Sequence, residues 1–147
     1  MDLKSVIRIV ESHADKISEK WIERLHKEGD MEEYLRLPVS ELLDHVGKAY
    51  EEIGGYLDQP AHEVIAGHFT DTGRRRRREG VPLRQVIRAI QLARSVLWQY
   101  VVEQGIFDST ANLYQALNLH RQIVNFFDAA VLLAAEGYGE EKPEAES

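Results

Sequence analysis

Five consecutive arginines, Arg74, Arg75, Arg76, Arg77 and Arg78, constrain this chain more than any other feature of its sequence. Successive residues of a helix are turned by about 100°, so five of them sweep the whole circumference. A helix that packs on any side therefore directs at least one of these guanidinium groups at its neighbour. The charge distribution sharpens the point. Net charge is -7, yet residues 74–94 alone sum to +7, between a stretch of -8 before them and -6 after. A single basic block sits inside an acidic molecule, and the overall balance says little about local partners.

Apolar residues recur at helical spacing throughout, and no alternating strand pattern of useful length is present. The spacing predicts a helix over about residues 3–27, ended by Gly29 and Asp30. A second follows Pro38 and weakens at Gly54 and Gly55. The third spans about 61–79, with Gly80 as its C-terminal cap and Pro82 opening the fourth, at about 82–104. A last helix is capped by Asp108 or Ser109 and reaches about residue 136, with Leu113, Ala116, Leu117, His120, Val124, Phe127, Val131 and Ala134 facing inward.

With 147 residues, 44% of them hydrophobic, the chain can bury one sizeable core. The expected fold is an all-α, single-domain bundle of about five helices, with a globin-like arrangement among the options. Residues 1–137 form this domain, and 138–147 read as a disordered acidic tail or linker. The absence of cysteine removes disulfides and thiolate chemistry and fits a reducing compartment. The longest purely apolar run, residues 129–135, has seven members, against about 20 for a membrane-spanning helix. A cytoplasmic protein without a membrane helix is expected.

Two readings of the arginine run follow. Positive charge suits a helix C-terminus, and Asp71 lies at the right spacing to pair with Arg74 and Arg75. Extending the apolar stripe from Ala61, Ile65, His68 and Thr72 lands on Arg75 or Arg76, however, and a buried guanidinium requires a buried carboxylate. Asp128, set between Phe127 and Ala129 in the most apolar stretch of the last helix, is the sequence candidate, with Arg121 competing for it. Alternatively the run, extended by Arg84 and Arg88, captures anions. The acidic surroundings argue against nucleic acid, which favours a broad basic face.

His68 and His120 both fall on apolar stripes, so a pocket including Phe69 and Trp98 that holds haem or another small molecule is one alternative. The plainer reading makes them packing residues, and no cofactor or metal is expected. The histidines of residues 62–68 are six apart, whereas zinc chelation on a helix needs four. No phosphate-binding loop, nucleophile triad or opposed carboxylate pair appears, and no enzyme activity is expected.

The segment Gly73, Arg74 to Arg78, Glu79, Gly80, Val81, Pro82, Leu83, followed by Val86-Ile87-Arg88-Ala89 and Arg94-Ser95-Val96-Leu97-Trp98, resembles the N-terminal domain of RsbRD-type RsbT co-antagonist proteins. Trp21 and Leu37-Pro38 fit the same arrangement, over about residues 10–137. The resemblance implies a helical input domain in bacterial stress or two-component signalling, with protein partners. It supplies no catalytic residue. No phosphorylatable output domain follows residue 137, so an excised sensor domain or a free-standing relative is expected, homodimeric through its terminal or fourth and fifth helices.

Overall fold

A computed structural model describes residues 3–57, 63–105 and 109–141. Within them the chain is all-α: α1 (Leu3–Ser12), α2 (Ala14–Lys27), α3 (Glu32–Leu35), α4 (Val39–Glu51), α5 (Ile53–Leu57), α6 (Glu63–Arg78), α7 (Leu83–Val102) and α8 (Thr110–Glu140). The five expected helices are all present, two of them interrupted. The first breaks at His13, which leaves helical geometry and brings its Nδ1 to 2.5 Å from the Tyr100 hydroxyl. The second breaks at Glu52, and α5 then lies so close to α1 that a Cβ on Gly54 would meet Ile7 at 2.8 Å. The short α3 is an element that apolar spacing does not reveal, because four residues are too few to show a period.

Helix α7 is the hub. It packs against α2 on one side and α8 on the other, and its Ala89 and Ala93, one turn apart, leave room for aromatic rings to reach its backbone. Trp21 Nε1 donates to the Ala89 carbonyl oxygen at 2.9 Å, and the Tyr50 hydroxyl to that of Ala93 at 2.8 Å. Two large side chains of the core are thereby buried with their polar atoms satisfied. Helix α3 is fixed to the same hub by Gln85, whose Oε1 accepts from the Tyr34 backbone N–H and whose Nε2 donates to Glu33.

Helix α6 ends as the sequence predicts. Gly80 adopts φ of +79°, its N–H donates to the Arg77 carbonyl, and the Val81 N–H reaches back to that of Arg76. This paired closure satisfies carbonyls the helix would otherwise leave open and favours glycine at the left-handed position. Helix α8 begins as expected, with Ser109 as its N-terminal cap, but departs from expectation in its C-terminal extent and its buried face. It continues through Glu140, so residues 138–140, assigned to a tail from composition, are helical, while 142–147 lie outside the described residues. Its inward stripe is Ala116, Leu119, Ile123, Phe126, Phe127, Ala130, Ala134 and Gly137. Leu113, Leu117 and His120, expected inside, are exposed.

The cause of both departures is the contact with α6, the most extensive helix pair. Thr70 lies against Gly137 and Gly73 against Ala134 and Tyr138 in near-backbone contact, and α6 and α8 run parallel through this crossing, with Phe69 meeting Phe126 before it and Arg78 near Glu141 beyond it. A Cβ on Gly73 would fall inside the Ala134 carbonyl oxygen and 2.7 Å from the Tyr138 nitrogen; one on Gly137 would overlap the Thr70 carbonyl. Small residues therefore decide which face of α8 is buried. Tyr138 closes the crossing by donating to the Val81 carbonyl at 2.9 Å.

Gly73→Ala and Gly137→Ala are each expected to lower unfolding free energy by about 1–3 kcal/mol in urea titrations, despite alanine's higher helix propensity. Gly67→Ala, at an α6 position with open space around it, should instead raise stability by up to ~1 kcal/mol. Equal effects at all three positions would contradict the close crossing.

Candidate functional site

The arginine run occupies the last turns of α6, and the geometry divides its five side chains between two neighbours. Arg74 and Arg78 turn towards the end of α8, where Arg74 pairs with Glu140 at 2.7 Å and with Asp71 at 3.4 Å, and Arg78 stands 3.9 Å from Glu141. Arg77 lies over the Tyr138 ring, 4.9 Å from its centroid. Arg75 and Arg76 turn the other way, to the start of α4. Every member of the run is thus engaged within the chain.

Arg76 is the buried one, with none of its side chain exposed. Its Nη1 and Nη2 donate to the two oxygens of Glu41 at 3.3 Å each, and Nη1 also donates to Glu79 at 2.9 Å. Glu41 accepts from Arg75 as well, at 2.6 Å. Two guanidinium groups and two carboxylates make a neutral cluster. The Tyr34 ring closes it from beneath, its centroid 5.4 Å from the guanidinium carbon. Burial works against the charge on Arg76, but the Tyr34, Glu41 and Glu79 groups around it outweigh burial and raise its pKa above the ordinary arginine value. The helix ends contribute in the same sense, since Glu41 lies in the first turn of α4 and Arg76 in the last turn of α6.

Asp128 is not the partner. It is exposed on α8, and no ion pair reaches it among the described residues. The reason is the shifted face of α8: once Ala130, Ala134 and Gly137 line the α6 crossing, Asp128 is carried to the solvent side. Glu41 could have been found from the sequence only by knowing that α4 and α6 run antiparallel, so that its first turn meets the last turn of α6. Arg88 belongs to a separate pair, donating from Nε to Glu28 at 3.0 Å.

One turn further along the same antiparallel pair, His45 of α4 meets α6. Its Nε2 lies 2.6 Å from the Thr72 hydroxyl, and that hydroxyl donates to the His68 carbonyl at 2.8 Å, so His45 must be the donor in the first bond. The His45 and His68 rings stack with centroids 4.4 Å apart and an interplanar angle of 15°. Burial, then the neighbouring His68, Arg76, Arg75 and Lys48, pushes His45 down to about 3. Burial also lowers His68, against the opposing pull of Glu52 and Asp71. Both imidazoles are held neutral at neutral pH.

These rings flank a small cavity of about 40 Å³, whose wall includes Trp21, Tyr50, Phe69, Ala93 and Phe127. It does not join the sequence-predicted pocket residues. His68 and Phe69 line it, whereas His120 is exposed on α8 and meets Trp98 edge to face at 4.5 Å, away from this wall. With the two histidines apart and a space far below the roughly 300 Å³ at which organic-ligand pockets begin, the residues present do not fit haem. Among the described residues no helix is long and apolar enough to cross a membrane.

The fold and this site define an all-α domain whose charged and aromatic side chains brace its helices against one another. Residues 15–147 match the family model described as the RsbT co-antagonist protein rsbRD N-terminal domain, and the chain belongs to that family. No curated protein and no solved structure matches it.

The neutral histidine pair has a definite pH consequence. With folded-state pKa values below the unfolded value of about 6.5, the stabilisation is complete above pH 6.5 and is lost as pH falls from there towards the folded value, because the unfolded chain binds the protons. Urea midpoints should therefore fall between pH 7.5 and 5. Over the same range the His45 ring resonances should show no titration step by NMR; a step near pH 6.5 would refute the neutral stacked pair.

Proposed function

We propose that the chain is a non-enzymatic input domain of bacterial stress or two-component signalling, located in the cytoplasm, that acts as a homodimer and passes its state to a protein partner. Membership of the co-antagonist family supports the signalling role. The observation that carries the self-association is the first half of α8, where Leu113, Tyr114 and Leu117 are 41%, 80% and 59% exposed. Spaced three and four apart, they form one apolar strip on the outer face of α8. Intramolecular partners for all five consecutive arginines favour a bracing role for the run over capture of nucleic acid or another polyanion.

Sedimentation equilibrium tests this directly. The full chain should sediment as a dimer at micromolar concentration, and Leu113→Glu combined with Leu117→Glu should give a monomer with unchanged helical circular dichroism. A wild-type monomer at all concentrations, or a double variant that still dimerises, would rule out this interface.

A further inference from the structure

We propose that the cavity between α2, α4, α6 and α7 is a binding site for a small uncharged molecule of two or three heavy atoms that carries one hydrogen-bonding atom, with His68 Nε2 as its polar contact. The wall is built mainly from apolar and aromatic side chains. Among its polar side chains, Trp21 and Tyr50 donate to α7 carbonyls, Tyr34 faces Arg76, and Thr72 joins His45 to the His68 carbonyl. His68 Nε2 is different, being buried without a hydrogen-bond partner. A buried polar atom left this way is costly, and native proteins rarely tolerate one without an occupant to meet it.

Size and chemistry select that occupant. About 40 Å³ exceeds what one water needs, roughly 10–15 Å³, but stays well below the roughly 150 Å³ of an engineered cavity that takes benzene. Buried waters hold two to four polar partners, and among the described residues His68 Nε2 is the buried atom of this wall left without one. A compact molecule that is mostly apolar, with a single donor or acceptor, matches the wall better than water does. Burial keeps the His68 imidazole neutral, so it presents an N–H or a lone pair rather than a charge, and an ionic ligand gains nothing from it.

The site is also placed to be read. His45 and Thr72 lie one turn from Glu41 and Arg76 on the same two helices, and the α4 and α6 backbones do not approach closely here, so side chains alone span the gap. An occupant that shifts the His45 and His68 stack therefore bears on the next rung, the buried ion cluster. This deepens the reading of the chain as an input domain, and its test is independent of the oligomeric state.

Two probes separate shape from hydrogen bonding in the full chain: xenon, which fills space only, and methanol, which adds one hydroxyl. Both should perturb the methyl resonances of Val46, Ala49, Ala89, Ile90 and Ala93 saturably, and methanol alone should shift His68 Nε2. With two heavy atoms, methanol should bind no tighter than on the order of several millimolar. His68→Phe should weaken methanol binding by about three- to tenfold and leave xenon binding within about twofold. Methyl shifts that stay linear with either probe in the wild-type chain would remove the site. Equal methanol affinity in His68→Phe and wild type would remove the polar contact.

Discussion

A guanidinium with no access to water holds this bundle in register. Arg76 is fully buried, and a charge in that position persists only if opposite charges and hydrogen bonds replace its lost hydration. Glu41 and Glu79 supply them to both Nη atoms, from α4 and from just beyond the end of α6, with the Tyr34 ring below, while Nε has no hydrogen-bond partner among the described residues. Three elements that apolar packing alone would let slide are thereby fixed at one point. The small helix α3 owes its position to the same requirement, because it delivers Tyr34 to the cluster while Gln85 ties it to α7.

The cluster also explains how α6 is shared between two different kinds of contact. Towards α8 it presents Gly73 and Thr70, and the backbones nearly touch. Towards α4 it presents Arg76, Thr72 and His68, and the gap is bridged by a ladder of polar side chains with a small cavity beside it. Helix α6 thus meets α8 through its backbone and α4 through side chains alone.

Much of this architecture is legible in the amino-acid sequence. The arginine run implies that one member is buried with a carboxylate, Gly80 marks the end of α6, and the five main helices follow from apolar spacing. Three features are not legible there, each for a physical reason. The carboxylate is Glu41 rather than Asp128, because pairing depends on which helices meet, and periodicity is silent on that. The buried face of α8 is displaced because glycine and alanine at Gly137, Ala134 and Ala130 outweigh the larger Leu113 and Leu117; hydrophobicity ranks those leucines above glycine, while close helix approach reverses the order. The pocket expected around His68 and His120 divides in two, since two inward stripes need not face one another.

The coupling between Arg76 and Glu41 is the most direct test of the central claim, and a double-mutant cycle measures it. Urea unfolding of wild type, Arg76→Met, Glu41→Gln and the double variant gives the interaction energy. Each single change should cost about 3–5 kcal/mol, as expected when one half of a buried pair is removed, and the double variant should lose well under the sum. Single effects that add to within about 0.5 kcal/mol would show that the two side chains act independently and would contradict the account.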